Sequence, residues 1–226
     1  MSARWNATAR VHYVSGLLLA AHFLFICVLK VQAGTIWQLL WFCHMSLAFA
    51  AVGFLTRSKL LKATALTNIL VVHSLWIVDF VSGYTTGIFP FAFSSYVTDL
   101  NIWNWVASLH HLFLLPLLLW SFCKDREYPR EAWLTSATTL VVVMLACRSL
   151  LSPEQNVNYA YYIPDSLQIS GLAALNQLPG DFYLLGVHAT ANLVGFLPAV
   201  VALSAIARIA RRFGDAAKLS ATTDVS

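Results

Sequence analysis

Hydrophobic residues fall into long unbroken runs, and the polar residues fall between them. Six runs approach the roughly 20 residues that a helix needs to cross a bilayer. They cover 11–31, 36–55, 61–83, 102–123, 132–151 and 182–206. The pattern predicts an all-α fold, a polytopic membrane bundle of about six transmembrane helices spanning 1–213, followed by a polar, disordered tail at 214–226.

Two connecting segments do not fit the span pattern. Residues 84–101 are apolar but broken by Gly87, Pro90 and a Ser/Thr-rich end. Residues 152–181 are rich in Asn, Tyr and Pro and nearly free of charge. Long connections of this kind often serve as lids or binding loops.

Composition agrees with the runs. The chain has 226 residues, 59% hydrophobic and only 11% charged, where soluble domains carry about 25% charged residues. So few charges cannot cover a water-facing surface, which excludes a soluble enzyme. The net charge of +4 does not mean nucleic acid, because the basic residues sit in short clusters between apolar runs. With a cytoplasmic N-terminus, Arg4, Arg10, Arg57, Lys59, Lys62, Lys124, Arg126, Arg130, Arg208, Arg211, Arg212 and Lys218 fall inside, and only Lys30 and Arg148 fall outside. This asymmetry predicts a multi-pass cell-membrane protein with both termini cytoplasmic. Cys27, Cys43, Cys123 and Cys147 show no CxxC pairing, which argues against a disulfide scaffold or zinc ribbon.

Histidine placement brings in chemistry. At 1.5 Å per residue, His22, His44, His73, His110, His111 and His188 all lie roughly 9–15 Å below the outer boundary. Five of the six predicted spans thus contribute imidazole to one layer; only His12 lies near the inner face. Ionisable residues inside a bundle usually face its interior and mark function. By helical spacing Asn104, Ser108 and His111 share a face, with His110 about 100° away on the flank. Asp181, His188 and Asn192 form another stripe. Pro116 predicts a kink just below His111, and Asp79 and Arg148 are at matching depth for an ion pair.

The stretches "HSLWIVDF", "TTG", "SLHHLFLLP" and "NVNYAYYIP…LPGDFY", in this order, resemble the YwaF-like family of bacterial integral membrane proteins over residues 64–196. A eukaryotic relative of that family looks like a membrane acyltransferase using a cysteine in one middle span and a histidine in the next. By position the resemblance implies His111 as the histidine and matches Asn156, Asn158 and Tyr159. At the cysteine position this chain has His73 or Ser74, a departure from the pattern.

Three functions compete. An intramembrane enzyme on a lipid-like or acyl substrate would use His111 as general base, with Asp79 or His73 orienting it and His188 polarising the substrate. Asn158, Tyr159, Asn156, Ser108 and Asn192 would bind that substrate, and Cys43, beside His44, is the one thiol placed to act as nucleophile. A metal or haem site would draw on His44 and His22, with His73, His111 and His188 as further ligands. A transporter or assembly subunit is the third reading, though no inverted repeat or paired broken helices point to it. The partners expected are the lipid bilayer and a lipid-like substrate, not nucleic acid.

Overall fold

In the computed structural model the chain is described over residues 7–167 and 171–223, with side chains described as far as Arg211. Its helices are α1 (Ala7–Gln32), α2 (Phe42–Thr56), α3 (Lys59–Thr86), α4 (Ile102–Ser108), α5 (His110–Asp125), α6 (Glu131–Leu150), α7 (Gly180–Thr190) and α8 (Leu197–Thr223). Five continuous or jointed stretches are long and apolar enough to cross a membrane: Thr8–Gln32, Lys59–Thr86, Ile102–Asp125, Glu131–Leu150 and Gly180–Arg211. The sixth is the shorter α2, whose 15 residues rise only about 22 Å. The protein is a multi-pass membrane bundle, and α8 runs on to Thr223, into the stretch read from sequence as a tail.

Three predicted spans prove to be interrupted. The span predicted at 36–55 opens with a 3-10 turn, Ile36–Leu40, and only then becomes α2, because Trp41 is extended (φ −55°, ψ 133°). The span at 102–123 is jointed at Leu109, between α4 and α5, rather than at Pro116, through which α5 continues. The last span widens into a π-helical segment, Ala191–Phe196, between α7 and α8. Such bulges appear mostly inside α-helices and frequently at functional sites.

Burial explains why α3 is central. It packs on α2, α5, α6, the π segment and α8, and its buried residues include six polar ones, Lys62, Thr64, Thr67, Asn68, His73 and Asp79. With its own Leu66 and Ile69, the residues Leu19, Ile26, Leu47, Phe54, Leu114, Leu118 and Leu203 form the main apolar core. The outside is inverted relative to a soluble protein. Leu18, Leu24, Leu134, Val142 and Phe182 are all exposed, a burial pattern that water would penalise and hydrocarbon does not. Gly16 allows α1 and α2 to touch, since a Cβ there would lie 2.7 Å from Leu55 Cγ.

Both connecting segments at the loop-rich end are pinned by side chains. Asp79 is fully buried, and its carboxylate accepts from Phe91 N–H (2.7 Å), Ser94 N–H (2.8 Å) and the Ser94 hydroxyl (2.9 Å). The Asp79–Arg148 ion pair expected from depth does not form. Arg148 instead donates from Nε to Ala160 O at 2.6 Å and lies over the Tyr161 ring at 4.9 Å. Equal depth on two helices says nothing about which sides of them face each other. Asp79→Asn puts an N–H donor where three donors converge. It is expected to cost about 1–3 kcal/mol, read as a lower melting temperature in detergent; an unchanged melting temperature would contradict the bracing role.

Candidate functional site: a buried imidazole cluster around His110

The joint at Leu109 builds the site. Its N–H turns back to Val106 O (3.1 Å), and Leu112 N–H donates to Leu109 O (2.9 Å). Leu112 N–H thereby leaves Ser108 O, its usual helical acceptor, and the Ala107 carbonyl likewise takes no backbone donor across the joint. Two rings take them: His110 Nδ1 donates to Ala107 O at 2.8 Å and His111 Nδ1 to Ser108 O at 3.0 Å. His22, from α1, reaches the same Ala107 carbonyl with Nε2 at 3.2 Å. On the other side His44 Nδ1 donates to Gln38 O at 2.7 Å, a carbonyl of the 3-10 turn before α2. A carbonyl can only accept, so each of these nitrogens carries the proton and the opposite ring nitrogen bears a lone pair.

These rings converge. His110 is 1% exposed, and its centroid lies 4.1 Å from His111, 5.3 Å from His44, 6.0 Å from His22 and 6.1 Å from His73. His111 occupies the flank, stacked on Trp76 (4.7 Å, 20°) and against His73 (4.7 Å). The helical wheel placed them the other way round, because it carried the phase of α4 straight through the joint. Cys43 completes one corner: its sulfur and one ring nitrogen each from His44 and His110 all lie within 4.8 Å of one another. With Nδ1 of both rings spent on carbonyls, Nε2 is the nitrogen left to each. His110 Nε2 is buried and without a hydrogen-bond partner, as are both nitrogens of His73.

The lid loop holds this corner in place. Asn158, at positive φ (54°), accepts from Phe42 N–H (2.9 Å) and donates to Leu40 O (2.7 Å), so its amide bridges the two backbone groups flanking Trp41. Phe42 N–H is a first-turn donor with no partner inside α2. Tyr159 packs edge-on to Trp41 at 5.8 Å, and its carbonyl accepts from the Tyr183 hydroxyl at 2.7 Å. Burial pushes the Tyr159 phenol up to about 12, which keeps it neutral. Asn156 braces the same loop, accepting from Tyr161 N–H and donating to Tyr162 O.

The structure therefore brings together His22, His44, His73, His111 and the thiol of Cys43 from the sequence candidates, and makes His110, read from sequence as a flanking residue, their hub. Ser108 contributes through its carbonyl. The remaining candidates are placed elsewhere. His188 pairs on α7 with Asn192, whose Nδ2 lies 3.2 Å from His188 Nε2 and donates to His188 O at 2.9 Å. Asp79 braces the 84–101 connection, and Asn156, Asn158 and Tyr159 hold the lid. The adjacency Cys43-His44 was the visible signal for the sulfur; no local signal marks the joint at Leu109.

Chemically, a thiol and two imidazoles at this separation suit one ion, and the softness of the set suits zinc or copper. The chain has no significant match among family models, curated proteins or solved structures.

Proposed function

We propose that this is a metal-binding protein of the cell membrane, both termini cytoplasmic, that holds a zinc- or copper-class ion on Cys43, His44 and His110. The observation that carries this reading is the grouping of the Cys43 sulfur with one ring nitrogen each of His44 and His110 within 4.8 Å, together with the Nδ1–H bonds to Gln38 O and Ala107 O that leave each ring its Nε2 lone pair. Metal-ligating histidines almost always donate their other N–H to a carbonyl, carboxylate or water. Three protein ligands leave a fourth position open, the arrangement of catalytic rather than structural sites. When bound, such an ion supplies Lewis acidity at that position. Because apolar helices surround the centre, a lipid-soluble substrate is the class that reaches it most directly.

Cobalt(II) uptake by the detergent-purified protein tests the reading. The wild type is expected to bind with a thiolate-to-cobalt charge-transfer band, absent from Cys43→Ser and at least tenfold weaker in affinity for His44→Ala. A wild type that takes up no cobalt, zinc or copper sinks the proposal.

A second reading rests on the same thiol alone, since the resemblance to the YwaF-like family puts its cysteine at His73 or Ser74 rather than at Cys43. Cys43 would attack an acyl ester, one imidazole taking the thiol proton and returning it to the departing alcohol. Two imidazoles beside one thiol exceed what that chemistry needs, which is why the metal reading is preferred. A hydroxylamine-sensitive acyl group on Cys43 in metal-free protein would favour acyl transfer.

A further inference from the structure

Beside the proposed centre, on the far side of the hub, lies a pair of imidazoles that the three-ligand site does not use. His73 on α3 is 1% exposed, and neither of its ring nitrogens has a hydrogen-bond partner. Leaving buried polar atoms unpaired is costly, and nearly all such atoms in proteins are paired. A packing histidine satisfied by its surroundings would show at least one bond, as His44, His110 and His111 do. No donor or acceptor bonds either His73 nitrogen, and the nearest imidazole, His111, stands 4.7 Å away centroid to centroid. His111 is already committed at Nδ1 to Ser108 O, so its Nε2 carries a lone pair of fixed orientation. Two imidazoles at this separation can share one ion at the usual metal–nitrogen length of roughly 2.0–2.1 Å.

We infer that His73 and His111 form a second transition-metal position next to the Cys43–His44–His110 centre, so that the cluster binds two ions rather than one. The inference rests on the reading given under Proposed function. This second position is all-nitrogen, which suits imidazole-preferring ions, zinc or copper(II). His110 joins the two positions physically, since its ring lies 4.1 Å from His111 and 5.3 Å from His44. Trp76, stacked on His111 at 20°, fixes the ring plane of one ligand, so the position is built on rigid elements. Paired ions a few ångströms apart are a recurring device for gripping both oxygens of a displacement, and a pair here would extend the chemistry from simple Lewis acidity to such a clamp.

The test is a cobalt(II) titration of the full-length protein in detergent, followed by absorption and elemental analysis. Two equivalents are expected: one producing the thiolate charge-transfer band, the other adding ligand-field absorption without it. The double variant His73→Ala/His111→Ala should stop at one equivalent with the charge-transfer band intact. Should that variant lose its monodisperse elution peak, His73→Gln, which keeps the bulk, replaces it and should also stop at one equivalent. A wild type that saturates at one equivalent overturns the second position and leaves the first standing; no uptake at all overturns both. Two equivalents still bound by the double variant, or by His73→Gln where it stands in, also overturn the inference.

Discussion

Asp125→Ala is expected to lower stability by about 3–5 kcal/mol, the cost of leaving one member of a buried ion pair uncompensated. Its partner Lys62 has a side chain only 5% exposed, packed near the basic end of the bundle, with Asp125 at 18%. The Nζ–Oδ2 distance is 2.6 Å, a further bond of 2.9 Å runs to the buried Ser121 hydroxyl, and the ammonium lies 5.6 Å from the Phe54 ring centroid. Removing the carboxylate strands the ammonium among Phe54, Ser121 and helix backbone. Two controls sharpen the expectation. Glu127→Ala removes the other pair, Lys59–Glu127, whose side chains are 45% and 54% exposed, and should cost under about 1 kcal/mol. In a Lys62→Met background, where no charge is left to strand, Asp125→Ala should likewise cost under about 1 kcal/mol. Thermal unfolding in detergent reads all three. If Asp125→Ala unfolds within 1 kcal/mol of the wild type, the pair contributes no more than its exposed counterpart and the burial argument fails.

Why some of this was legible beforehand follows from the solvent. Hydrocarbon forces every backbone polar group to be satisfied within a helix, so spans are written as runs and can be counted. Depth along a helix is fixed by the 1.5 Å rise, so a shared layer of His22, His44, His73, His110, His111 and His188 could be read by counting, but not that His188 would pair with Asn192 apart from the others. Facing is less secure, because it accumulates phase. One joint at Leu109, in the stretch "VASLHHLF" with neither Gly nor Pro, exchanges the roles of His110 and His111. Its cause is a choice of hydrogen-bond partner by Leu109 and Leu112, which residue identity does not display. The bridge from Asn158 to Leu40 and Phe42 joins positions well over a hundred residues apart. A single chain with no second element in view contains nothing from which to read it. Asn156, Asn158 and Tyr159 were recognisable as a motif, while their engagement with the backbone at α2 depends on the lid folding back over the bundle.

The exchange of roles at the joint yields the sharpest test of the site. His110→Ala is expected to weaken binding of the thiolate-ligated ion by more than 100-fold, beyond the 10–100-fold that loss of an outer-shell partner typically costs. His111→Ala should change that same affinity by less than tenfold, although the two residues are neighbours in sequence and both lie in the cluster. The reason is geometric. His110 shares the corner with Cys43 and His44, all three ligand atoms lying within 4.8 Å, whereas His111 faces His73 and Trp76. A helix continuous through Leu109 would reverse the order, putting His111 inward with Ser108 and leaving His110 on the flank. The intensity of the thiolate-to-cobalt band against free cobalt reports the affinities directly, and a larger loss for His111→Ala than for His110→Ala would mean that the joint does not set the facing of these rings. The pair of variants also separates a metal ligand from a packing residue. His110 is fully enclosed, so its removal should destabilise the fold as well, and His110→Asn, which keeps a polar side chain and part of the volume, should recover folding while leaving the ion affinity low.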